Sequence, residues 1–253
     1  MRKPILEVCV DSLESALAAV KGNADRLEVC SNLIIGGTSA NPFLVKMIKE
    51  QLNIRVHALI RPRFGDFYYS ESEFLIMQQE ILQLKEAGCE GIVTGILNSD
   101  GTLDLNRMEK LIETAKGMSV TLHRAFDMCR NPLNTLEESK EIGITGILTS
   151  GQQNSALEGI ECLYNLMQQS QGTIEIMAGG GIDISAIKEI EQKISLPAYH
   201  MSGKKTVESR MLYRNKKISM GPAGISEYIN WQTDEEKVKR AAEYLTQMYK
   251  NLS

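Results

Sequence analysis

The tetrapeptide Leu-Glu-Val-Cys occurs twice near the start of the chain, at Leu6–Cys9 and at Leu27–Cys30. Each copy lies in a short apolar run of strand type, and Asp11–Val20 between them reads as a helix closed by Gly22. A strand–helix–strand unit makes the two copies parallel neighbours in one sheet. Side chains alternate along a strand, so Glu7 and Cys9 share a face with Glu28 and Cys30. Leu6, Val8, Leu27 and Val29 then point the other way, toward covering helices. Two thiols are thus expected side by side at the carboxyl ends of adjacent strands, with carboxylates beneath them. Ligand sites in α/β folds form at those ends, and paired thiols there are a candidate soft-metal site.

The alternation runs on to the end of the chain. Strands are expected at Ile5–Cys9, Arg26–Cys30, Arg55–Ile60, Gly91–Gly95, Ser119–Arg124, Gly146–Thr149, Thr173–Ala178 and Ala198–Ser202, with a helical stretch after each. Asn41-Pro42 and Asn131-Pro132 place a capping amide before a proline suited to the first helical turn. Ser70 with Glu73 can form a capping box on a helix that stops near Gly88, and Asp104 and Asp183 sit at further N-caps. Eight strand–helix pairs without a linker close most naturally into a single (β/α)₈ TIM barrel, one domain over residues 1–253. An open doubly wound sheet is the alternative, but no Gly-x-Gly-x-x-Gly follows the first strand. One connection breaks the rhythm: Gly203–Gln232, after the eighth strand, far exceeds the usual few residues and reads as either a surface loop or a lid over the barrel mouth.

The formal net charge of −4 gives no electrostatic footprint for nucleic acid, and no apolar run approaches a membrane span. Met1-Arg2-Lys3-Pro4 leads directly toward a strand without a signal-peptide core, so a cytoplasmic location is expected. Five scattered cysteines do not form a disulfide framework and should be reduced thiols in a cytosol.

The three histidines, His57, His123 and His200, all fall near carboxyl ends of expected strands, and parity turns each inward. They are candidate acid–base groups. A zinc site is disfavoured, because neither a His-x-His pair nor a His-Glu-x-x-His helix is present. Arg61, Arg63 and Asp66 follow the third strand, and Arg124 and Asp127 end the fifth. Guanidinium forks suit carboxylate or phosphate ligands; the competing role is internal pairing with Asp66, Asp127 and the buried Glu7 and Glu28. Gly179, Gly180 and Gly181 after the seventh strand, with Ser202-Gly203 after the eighth, could cradle an anion with backbone N–H groups. Thr149 and Ser150 could add hydroxyl donors. For Cys9 and Cys30 the competing role is that of small apolar residues filling a barrel layer.

These segments together resemble the CutC copper-homeostasis family. The resemblance is carried by Leu6-Glu7-Val8-Cys9, Asp25-Arg26-Leu27-Glu28-Val29-Cys30, Ile60-Arg61-Pro62-Arg63, Gly65-Asp66-Phe67, His123-Arg124-Ala125-Phe126-Asp127-Met128, Leu148-Thr149-Ser150-Gly151, Met177-Ala178-Gly179 and Tyr213-Arg214-Asn215. It implies a TIM barrel, a cytoplasmic homo-oligomer, often a dimer, and copper(I) held by Cys9 and Cys30. Where the family has His-Ser-Ser at strand eight, this chain reads His200-Met201-Ser202, which keeps the inward His and Ser.

The leading expectation is a copper-handling protein binding Cu(I) through Cys9 and Cys30. The alternative is an enzyme acting on a small anionic or phosphorylated substrate. There His57, His123 or His200, with Asp66 and Asp127, would move protons, while Arg61, Arg63, Arg124 and Arg214 hold the anion. In that reading Arg214 reaches into the mouth from the long loop.

Overall fold

The computed structural model describes residues 3–215, 217, 218, 220 and 226–250. Eight parallel strands close into one barrel in chain order: β1 (Ile5–Val10), β2 (Arg26–Val29), β3 (Arg55–Leu59), β4 (Gly91–Thr94), β5 (Ser119–Leu122), β6 (Gly146–Thr149), β7 (Glu175–Ala178) and β8 (Ala198–Met201). β8 pairs back onto β1 through Ile5 with Ala198 and Glu7 with His200, which completes the closure. Helices α1 (Leu13–Lys21), α2 (Pro42–Gln51), α3 (Glu71–Glu86), α4 (Leu105–Thr114), α5 (Pro132–Glu141), α6 (Ile160–Ser170), α7 (Ile184–Glu191) and α8 (Glu235–Lys250) alternate with the strands. This is a (β/α)₈ TIM barrel.

Local chemistry places the helix starts where the sequence puts them. Asn41 accepts from Phe43 N, Asn131 from Asn134 N, Asp104 from Arg107 N and Asp183 from Ala186 N. Ser70 and Glu73 make the reciprocal capping box of α3, each satisfying an amide that the first helical turn leaves without a partner.

The alternation decides the core. Leu6, Val8, Leu27 and Val29 are fully buried in the large cluster between barrel and helices, where each such side chain contributes roughly 1.5–3 kcal/mol. Met201 joins that outer cluster, so its departure from the family pattern falls on a packing position. Inward residues form smaller clusters, Cys30 with Leu59 and Val93, and Leu148 with Met177 and Ala198.

The connection after β8 differs from expectation. It is not a plain loop, because β9 (Lys204–Glu208) pairs antiparallel with β10 (Ile229–Thr233) into a two-stranded ribbon. Lys204, Lys205 and Thr206 face Thr233, Gln232 and Trp231. Polar, half-exposed strands carry little apolar alternation, so the ribbon has no periodicity to betray it. Part of the proposed lid, at residues 216, 219 and 221–225, lies outside the described residues.

Candidate functional site

Inward side chains from six strands create a charged interior below the mouth. Arg26 lies opposite Glu7 in the β1–β2 register and donates to it from Nε. Its Nη2 donates to Glu175 at 2.7 Å. On the other side of Glu7, His200 Nδ1 stands 2.8 Å from Oε1. Burial alone would raise the Glu7 carboxyl, but Arg26 and then His200 outweigh it and hold it well below the usual range. Burial likewise opposes charge on His200. Cys9 and Glu28, with hydrogen bonds to Cys9 and Glu7, reverse the balance and carry its pKa well above the ordinary value.

Glu28 is the unbalanced member. It lies opposite Cys9 in the register, and its Oε2 is buried without a hydrogen-bond partner among the described residues. The His200 Nδ1 stands 3.9 Å from that oxygen. Burial pushes the carboxyl up to about 7; His200 and Arg26 pull against the rise and Glu7 adds to it. A carboxyl poised there can gain or lose a proton near neutrality.

The two imidazoles on the other side are neutral. Burial lowers the pKa of His57 to about 4, which Glu7 only partly opposes; its Nε2 lies 3.1 Å from Ser119 Oγ. Burial, then Arg61, lowers His123 to about 3. His123 Nδ1 accepts from Ala125 N at 3.1 Å, so in the neutral ring the proton sits on Nε2. That Nε2 is buried without a partner among the described residues. Gly91 and Gly95 make room for these rings: an added Cβ would stand 2.6 Å from the His57 ring at one and 2.8 Å from His123 Nδ1 at the other.

A cavity of about 360 Å³ opens above this layer at the carboxyl ends of the strands. Cys9, Cys30, Glu28 and His200 line it together with Arg61, Phe67, His123, Arg124, Gly180 and Lys204. Both thiols are free and buried. Because strands in a closed barrel are tilted and staggered, Cys9 pairs with Glu28, and Cys30 sits one inward position higher. The thiols are therefore diagonal neighbours, not directly abreast. Burial first, then the nearby Cys9, pushes the Cys30 thiol well above its ordinary value.

Several expected ligand groups are engaged elsewhere. Arg63 ties down its own loop through Asp66 and Glu73 at 2.9 and 2.6 Å, and neither Arg63 nor Asp66 lines the cavity. Asp127 is a buried staple that accepts from Arg124, Thr149, Ser150 and Gln152. The Thr149 and Ser150 hydroxyls are turned to Asp127, not to the cavity. Gly180, Gly181 and Ser202 line the mouth, whereas Gly179 and His57 do not. Arg214 stays within its own segment, pairing with Glu208 at 2.8 Å, donating to Ser209 O and Met211 O, and lying over the Tyr228 ring. A tethered guanidinium on a loop tip finds partners close in sequence, so it does not reach the mouth.

Arg61 donates to the carbonyls of Gly36, Gly37 and Gly65, bracing two loops without a carboxylate partner among the described residues. Arg124 donates from Nη2 to Ser150 Oγ at 2.9 Å and pairs through Nε with Asp127, leaving Nη1 without a partner among the described residues. Sequence reasoning missed Arg26, Glu175 and Lys204. Arg26 shares parity with Glu28 and Cys30, so alternation alone would have turned it inward as the partner of Glu7.

A closed eightfold barrel of alternating strands and helices, with titratable groups and thiols gathered in a cavity at its strand ends, is a (β/α)₈ TIM barrel. The chain belongs to the CutC family, whose profile matches residues 4–205. A CutC family protein of Mesorhizobium japonicum is 41% identical over 234 residues, covering 92% of this chain and 91% of that protein. One from Bacteroides fragilis is 39% identical over 248 residues, covering 97% and 99%. A crystal structure described as a CutC copper homeostasis protein, from Streptococcus agalactiae, is 30% identical with a TM-score of 0.75, covering 79% of this chain and 98% of that one. Thiamine phosphate pyrophosphorylase from Pyrococcus furiosus, at 13% identity and a TM-score of 0.57, shares the barrel alone. No helix among the described residues is long and apolar enough to cross a membrane.

Proposed function

We propose that this protein takes part in copper homeostasis by binding Cu(I) through Cys9 and Cys30 in a reducing cytosol. The observation that carries the reading is that both free thiols wall the same cavity on adjacent strands. Thiolates are the soft ligands that Cu(I) favours, and a metal displaces thiol protons on binding. A buried thiol whose pKa is raised stays protonated and unreactive until a soft cation replaces the proton. The copper homeostasis role proposed in the name of the Streptococcus agalactiae protein supports the same assignment. Glu7, Glu28 and His200 offer three ligating atoms within 4.8 Å of one another, but two oxygens suit a harder cation, and Arg26 already neutralises Glu7. Cys9→Ser should abolish one-to-one Cu(I) binding, read by competition with a chromogenic Cu(I) chelator under reducing conditions. Unchanged affinity would return both cysteines to a packing role.

A second reading rests on Glu28. Its unpartnered carboxyl, raised to about 7, walls the cavity and could move a proton on a small anionic substrate held by Arg61 and Arg124. Turnover of a substrate that is lost in Glu28→Gln while Cu(I) affinity persists would select this reading.

A further inference from the structure

The cavity lining joins two thiols to a set of cationic side chains, and a bare copper ion would engage only the thiols. Linear binding between Cys9 and Cys30 leaves most of the about 360 Å³ unused. The same lining includes His123, fully enclosed, with its Nε2–H directed to no protein acceptor among the described residues. Arg61 beside it has no carboxylate partner among the described residues and lies over Phe67, 5.2 Å from the ring centre, while Phe67 packs against His123. Arg124 brings its unpaired Nη1 to the Gly180 turn, and Lys204 stands over Trp231 with no acidic partner among the described residues. Three cations lining one cavity, with a desolvated imidazole N–H beside them, select an anionic group. An orphaned buried N–H is costly unless a ligand completes it.

We infer that the mouth receives Cu(I) as a complex with a small anionic thiol, the thiolate–copper end meeting Cys9 and Cys30 and the carboxylate end meeting His123, Arg124 and Lys204. This deepens the Cu(I) reading and rests on it. The exchange balances without a redox step. Two bonds from copper to carrier sulfurs break and two to Cys9 and Cys30 form. The protons of the two cysteines pass to the departing thiolates, and copper stays Cu(I). The cationic lining lets the carrier bind before exchange, so transfer becomes a reaction within a complex and not between free species.

The test measures Cu(I) transfer by stopped-flow absorbance of the copper–thiolate band, using three donors at fixed ionic strength: the Cu(I) complexes of glutathione (carboxylates beyond the thiolate), dithiothreitol (no charge beyond the thiolates) and cysteamine (ammonium beyond the thiolate). The readout is the ratio of half-saturating donor concentrations within each protein, in which a general loss of affinity cancels. The wild-type chain should saturate with the glutathione complex at a concentration lower by about tenfold than with the cysteamine complex, a factor equal to about 1.4 kcal/mol. His123→Ala should reduce that ratio severalfold. Arg124→Gln, at a half-exposed side chain, should do the same. Equal half-saturation for all three donors in the wild type, or a ratio unchanged in both variants, overturns the inference while leaving Cu(I) binding in place. Failure to accept Cu(I) from any donor removes the copper reading itself and this inference with it.

Discussion

Replacing Glu28 by glutamine isolates a buried carboxyl whose Oε2 has no hydrogen-bond partner among the described residues. The carboxyl titrates near 7 in the fold, against 4.5 for an ordinary glutamate. The folded state therefore holds a proton that the unfolded chain releases between those values. Stability changes with pH as the difference in protons bound, unfolded minus folded, which is negative here. The contribution is fully present below about 4.5 and is lost as pH rises through about 7. A difference of about 2.5 pKa units at 1.36 kcal/mol each gives about 3 kcal/mol. Glutamine keeps the shape of the protonated acid and does not titrate. The stability of Glu28→Gln relative to wild type should thus rise by about 3 kcal/mol between pH 4.5 and pH 8, read by urea unfolding at both values. Taking the difference between the two pH values cancels any fixed effect of the substitution. A relative stability that does not change with pH would mean that Glu28 titrates as an exposed glutamate, and that its burial beside Glu7 is compensated by a partner.

Arg26→Met should cost about 3–5 kcal/mol by the same unfolding assay, since it strands the fully buried Glu7 without its strongest counter-charge, and Glu7→Gln added to it should recover part of the loss. Arg214→Ala should leave the affinity for Cu(I), measured by chelator competition, within twofold of wild type, because its guanidinium is bound to Glu208, Ser209 and Met211; a loss of tenfold, about 1.4 kcal/mol, would put the loop at the mouth after all.

Alternation and capping were enough to lay out the barrel. Leu6, Val8, Leu27 and Val29 could only be buried against helices once Glu7, Cys9, Glu28 and Cys30 turned inward, and Asn41, Ser70, Asp104, Asn131 and Asp183 each declare a helix start within a few residues of sequence. These are local rules of period and hydrogen bonding, so one dimension carries them. The same parity put Cys9, Cys30, His123 and His200 on the lining of the cavity. Which charge meets which was decided only in three dimensions. Arg63 and Arg124 look equivalent beside Asp66 and Asp127, yet Arg63 braces α3 through Glu73, while Arg124 stands at the mouth. Glu7 and Glu28 occupy identical tetrapeptides; barrel closure brings β8 against β1, so Glu7 gains His200 as well as Arg26, and Glu28 is left without a hydrogen-bonded partner for Oε2. Closure also sets the stagger that lifts Cys30 above Cys9. Partners separated by up to 193 positions meet through the registers of eight strands at once, and no local period records that sum.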